Sequence, residues 1–279
     1  MLRKFAAPAI LVLFGSCSSG PPPVRTGTPA YYWSLAVENY ESADLTKTLE
    51  QVEKVFRSEN EFVGRARVLR LVTLAGLVDG YRELANTWEY GARAVKSGSP
   101  MPFRRRTGEY RALATSLALQ LGEAYKEFAK AQPDGPVVFH FRAPKRGTTA
   151  MPQGAAQIGE GRLIPDADSE TLFTAMLQRS ALLKLAHATG AGEDGPAARK
   201  ALEKPPVEVP RKKFEAAMAQ ALYDASTIFG PKGRGETPRQ QFLLEQVSLA
   251  LSAAGGDAPK DLKTKLEKDL KDIKARSKG

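Results

Sequence analysis

The 279 residues are 42% hydrophobic and 26% charged with a formal net charge of +10, a balance ordinary for a globular chain whose basic excess suits nucleic acid, anionic lipid or plain solubility. The single cysteine, Cys17, excludes an internal disulfide. No stretch approaches the ~20 uninterrupted apolar residues of a membrane-spanning helix.

The chain begins MLRKFAAPAILVLFGSC. Arg3 and Lys4 are followed by an apolar run from Phe5 to Phe14, the small pair Gly15-Ser16, and Cys17. That order is the pattern of a secretory signal.

The end of this stretch resembles the lipobox of bacterial lipoproteins, in which signal peptidase cuts just before a lipid-modified cysteine. Gly15-Ser16 and Ser18 suit that pattern, while Phe14 stands where the family usually has Leu. The resemblance implies that residues 1–16 are a signal peptide and that Cys17 is acylated. Two or more chains, at ~0.8 kcal/mol per buried methylene, hold a protein firmly. It also implies a place in the cell envelope, and Ser18 rather than Asp implies the periplasmic face of the outer membrane. The expected partners are the lipid bilayer through acylated Cys17 and a protein of the envelope, with no nucleic acid, since an exported chain does not meet it.

Residues 17–29 carry Ser18, Ser19 and three prolines at 21–23 and read as an extended tether. From residue 30 the period becomes helical. A first helix on Tyr32, Trp33, Ala36, Val37 and Tyr40 is followed by a second, capped by Ser42, on Leu45, Leu49, Val52 and Phe56. The longest candidate spans about 61–95. Its middle, LRLVTLAGLV, is apolar nearly all round, which predicts a central helix with neighbours on every side. Gly76 and Gly80 within it predict a close helix contact or a bend. After the GSPMP turn, residues 103–131 form another helix with Leu113, Leu117, Leu121, Tyr125 and Phe128 as its buried stripe. Leu121-Gly122-x-x-Tyr125 resembles the first-helix core of a tetratricopeptide repeat, which implies stacked antiparallel helix pairs. The likeness stops there, because Pro133 falls where the second helix of the repeat belongs and no 34-residue period follows.

Residues 133–167 are rich in Gly and Pro and interrupt the helices. Such stretches are usually functional or disordered. The run Val137-Val138-Phe139-His140-Phe141 predicts an ordered insertion lying against the helices, separable from them, and Phe139, His140, Phe141 and Arg142 are the candidate binding element. Helices resume near residue 168 and stop before Gly190. Residues 190–210 read as a Pro-rich linker with a possible short helix at 196–203. Further helices are expected over about 214–229, 239–254 and 258–276. The fold class is therefore all-α, an array of antiparallel helix pairs, with one domain over 30–279.

No catalytic signature is present: no HExxH, GxSxG, GxxxxGK[ST] or strand-to-helix GxGxxG. Only two histidines occur, His140 and His187, and neither has a neighbouring cluster of Cys or carboxylates, so no metal and no cofactor are expected. Glu38, Glu41, Glu83, Glu89, Glu123 and Glu127 read as solvated helix faces. Tyr31, Tyr32, Trp33, Trp88 and Tyr90 recur at helical spacing and read as core rather than a cavity lining. Arg104, Arg105 and Arg106 open a helix where cations oppose the dipole and form a candidate basic patch for a head group or partner. The expected role is non-enzymatic binding of a protein or small ligand at the membrane surface, as an adaptor or assembly component. A wall-active hydrolase and a purely structural lipoprotein are the alternatives.

Overall fold

The computed structural model describes residues 25–131, 135–231, 233 and 235–276. The leader, Cys17 and the proline run lie outside them. Among the described residues the chain is all-α, with ten α-helices and one two-stranded sheet.

Helix α1 (Pro29–Glu41) is capped by Thr28, whose side chain accepts from the Tyr31 N–H, and Pro29 fills the first turn where no donor is needed. Helix α2 (Leu45–Val55) pairs with it. Its cap is Asp44, which accepts from the Lys47 N–H at 3.2 Å, and not Ser42, whose hydroxyl donates back to the Glu38 carbonyl at 2.7 Å. The first helix ends at Glu41, and the turn through Ser42 and Ala43, the latter at a φ of 65°, puts the cap at Asp44.

Helix α3 (Val63–Ala94) spans 32 residues, roughly 48 Å at 1.5 Å per residue. It is the central helix that its composition predicts. Every residue from Leu71 to Tyr81 is buried. Around it stand α2, α4 (Met101–Ala131), α5 (Gln153–Gly159), α6 (Asp166–Ala188) and α8 (Arg211–Ser226). The two glycines make a close contact. A Cβ on Gly76 would lie 2.6 Å from the Ala181 Cα, and one on Gly80 would lie 2.7 Å from Leu177 Cδ2. Because Gly76 meets Ala181 while Gly80 meets Leu177, α6 runs antiparallel to α3.

On α4 the expected stripe is partly displaced. Leu121, Tyr125 and Phe128 are buried, but Leu117 is half-buried and Leu113 is 44% exposed. Stepping back by fours from Leu121 lags the 3.6-residue turn by ~40° each time. The true seam continues through Ala118, Ala114, Tyr110 and Phe103. The residues that resemble a repeat core are packed, but against distant helices. Gly122 abuts Phe242 and Leu243 of α9 (Thr237–Ala254), and Tyr125 reaches Glu215 of α8.

The two irregular zones are one structure. Strand β1 (Val137–Phe139) pairs antiparallel with β2 (Val207–Val209), with Val137 opposite Val209 and Phe139 opposite Val207. Each zone therefore satisfies backbone groups of the other. The insertion is not separable, because Phe139 and Phe141 are fully buried and contact Phe214 and Tyr40 respectively. Helix α7 (Gly195–Ala201) is capped by Asp194, and Arg199 ties it back through Nε to the Pro144 carbonyl at 2.8 Å. Helix α8 runs into a 3-10 turn at Thr227–Phe229, and α10 (Lys260–Arg276) closes the chain on Leu262, Leu266 and Ile273.

Candidate functional site

Helix α8 runs parallel to α3, with Glu215 beside Tyr125 at one end and Asp224 beside Arg82 at the other. Where α8 stops, the face of α3 that it covered becomes open. From Arg82 onward the sequence places polar residues on that face at steps of three and four: Arg82, Asn86, Glu89, Arg93. Together with Gly108, Arg111 and Ala114 of α4, and Thr227, Ile228, Gly233 and Glu236 of the turn before α9, they line a trough of about 710 Å³. That is the size of a ligand or peptide cleft.

The electrostatic centre of the trough is Glu89. Its two carboxylate oxygens take Arg93 from α3 and Arg111 from α4, one each. Glu89 is 26% exposed, while Arg93 and Arg111 are 70% and 46% exposed. The carboxylate therefore sits low between two guanidiniums that face outward. Each guanidinium carries five donors in a planar fork, so one bond to Glu89 leaves most of them free for a ligand. The other charges are matched nearby: Arg82 by Asp79 at 2.6 Å, and Glu236 by Arg239 at 2.6 Å. Tyr90, expected in the core, is instead 61% exposed and lies beside the trough without lining it.

A second polar cleft of about 510 Å³ adjoins the first and shares Arg82 with it. Here Lys184 of α6 lies 3.4 Å from Asp79 and 3.0 Å from Asp224, and Arg179 lies 2.6 Å from Glu83. Arg82, Arg179 and Lys184 offset Asp79, Glu83 and Asp224 and are bonded to them across α3, α6 and α8, which suits a clamp between helices, and Glu193 adds a further carboxylate to the lining. Such a network resists loss of any one partner, because the remaining charge would be stranded in low dielectric. His187 lines the same cleft from the last turn of α6, and partial burial, with the charge of Lys184, pulls its pKa down.

The three arginines of the expected basic patch diverge, because successive residues of a helix point ~100° apart. Arg105 and Arg106 both turn to Glu109, at 3.7 and 3.3 Å. Arg104 does not. It precedes Gly108 by four residues and Arg111 by seven, so it extends the trough wall by one turn. It is exposed and has no ion-pair partner among the described residues.

The insertion residues are placed differently from one another. Phe139 and Phe141 are core side chains and offer no surface. His140 is half-buried between them, with its pKa drawn down by burial and by the charge of Arg65. Arg142 is exposed and donates to the Glu203 carbonyl at 3.1 Å. Trp33 and Trp88 are core residues, as expected.

Sequence reasoning treated Glu83 and Glu89 as members of solvated faces and passed over Arg82, Asn86, Arg93 and Arg111. The signal was present as a polar stripe in the second half of an otherwise apolar helix. Among the described residues no group of three or more His, Cys, Asp or Glu could hold a metal ion, and no helix is long and apolar enough to cross a membrane.

No family model, curated protein or solved structure matches the chain at a significant level. The trough is read from its own chemistry.

Proposed function

We propose that this protein is a lipid-anchored component of the bacterial envelope that works by binding rather than catalysis, with acylated Cys17 as its anchor and the open face of α3 as its docking surface. The observation that carries the reading is the trough itself: a cleft of about 710 Å³ lined by the outward-facing guanidiniums of Arg93 and Arg111 and by the apolar Ala85, Ala114 and Ile228.

Its position supports the same reading. Trp33 of α1 stacks on Phe62 at the start of α3, with ring centroids 6.4 Å apart. The chain therefore enters the body at that end. Arg82 lies about 20 residues further along, roughly 30 Å away, and Arg93 roughly 46 Å away. A body tethered through its N-terminus presents the trough at its far end, away from a bilayer and toward a partner.

The hydrolase alternative calls for a carboxyl with a raised pKa in an accessible cleft. Among the described residues the carboxyl with a raised pKa is Glu215, and it is enclosed by Tyr125 and Arg211 in the core. No observation favours that reading over binding.

The test is metabolic labelling with radioactive palmitate. The wild-type protein is expected to take up label and sediment with membranes, and Cys17→Ala is expected to lose both. Undiminished labelling or unchanged membrane association of Cys17→Ala overturns the anchor.

A further inference from the structure

We infer that the trough takes an acidic, extended segment of a partner protein, with its carboxylates on Arg93, Arg104 and Arg111 and an apolar side chain against Ala85, Ala114 and Ile228. This rests on the reading of the trough as a docking surface and names what docks there.

The charge count favours an anion. Arg93 and Arg111 line the trough and share a single carboxylate, Glu89, and Arg104 stands on α4 seven residues, about two turns, before Arg111. Glu89 is shared between two of the arginines and holds their guanidiniums side by side. Arg104 is left without a counter-charge among the described residues. Guanidinium forks bind carboxylates through two parallel bonds, which gives both strength and direction. A pair of forks fixed by a carboxylate below is preorganised to take further carboxylates above.

The shape favours a peptide. The open face from Arg82 to Arg93 is ~16 Å long. An extended chain advances about 3.3 Å per residue, so about five residues fill it. Successive side chains of such a chain point to opposite sides, and acidic residues alternating with apolar ones therefore put the carboxylates on the arginine wall and leave an aromatic or aliphatic group for Ala85, Ala114 and Ile228. A compact anion such as phosphate uses only one fork and leaves the rest of the trough empty.

The probe is a fluorescein-labelled hexapeptide of Glu alternating with Phe, compared by fluorescence anisotropy with the same peptide carrying Gln or Lys in place of Glu. Saturable binding of the Glu peptide is expected, weakening as salt is raised. The double variant Arg93→Glu, Arg104→Glu is expected to weaken it about tenfold or more. The control is Arg57→Glu, Lys130→Glu, the same change in net charge on exposed residues at the opposite end of the body. It is expected to stay within about twofold of wild type. Equal loss in both doubles reduces the effect to global charge and overturns the proposal. So does an absence of saturable binding at about 1 mM peptide. Equal binding of the Gln peptide also overturns the acidic class, while leaving the trough a docking surface. None of these outcomes bears on acylation of Cys17, which the palmitate experiment decides separately.

Discussion

Glu215 shows how far a residue can depart from what its neighbours in sequence suggest. It follows Arg211, Lys212 and Lys213 at the start of α8, where a charged residue ordinarily faces water. Instead its side chain is 1% exposed, accepts from the Tyr125 hydroxyl at 2.7 Å, and lies 3.2 Å from Arg211 Nε. Burial raises its pKa, against the opposing pull of the Tyr125 bond and the Arg211 charge. A carboxyl whose pKa is higher folded than unfolded binds its proton more tightly in the native state. Its contribution to stability is present at low pH and is lost as pH rises from the ordinary carboxylate value through the raised one. Glu215→Gln removes that loss. Thermal unfolding of both proteins at about pH 5 and about pH 8 is expected to show the Gln variant gaining on wild type at the higher pH. A gain at the lower pH contradicts the assignment.

At the scale of elements, the helices were legible because each buries one face over many turns. Repetition at three- and four-residue steps outlasts local irregularity. The strands were not legible. Each is three residues long, and they pair across about seventy residues of chain, so neither carries a pattern of its own. Gly- and Pro-rich composition said only that helices stop there. The candidate site lay between these cases. Asp79, Arg82, Asn86, Glu89 and Arg93 form a readable stripe, but a stripe alone does not distinguish a solvated face from a trough. That depends on where α8 ends, which is a property of packing.

The contact between α3 and α6 is the element-scale feature most open to test. Gly76 accepts the Ala181 backbone at a distance no side chain allows. Gly76→Val is expected to destabilise the protein by about 1–3 kcal/mol through forced separation of the helices. Gly64→Ala, in the same helix but with nothing within 4 Å of the added Cβ, is expected to be tolerated. Urea unfolding of both checks this. Equal effects of the two substitutions mean that helix propensity, and not close approach, governs Gly76.

For the whole molecule, α3 is the axis to which the remaining parts are fitted. Helices α4 and α6 flank it, α5 lies against its second half, and α8 covers its mid-section as far as Asp224. One end receives helix α1, and the other opens into the trough. The insertion that composition singled out as the binding element contributes instead to the core through Phe139 and Phe141. Its Gly and Pro content reflects the turns needed to bring β1 alongside β2. On the proposed reading, binding belongs to the regular helices and the irregular segments serve structure. Hydrogen exchange of the full-length protein with and without the Glu-Phe hexapeptide separates these assignments. Protection is expected over residues 82–93 and 104–111, with residues 137–142 unchanged; protection confined to 137–142, or none at all, contradicts the account.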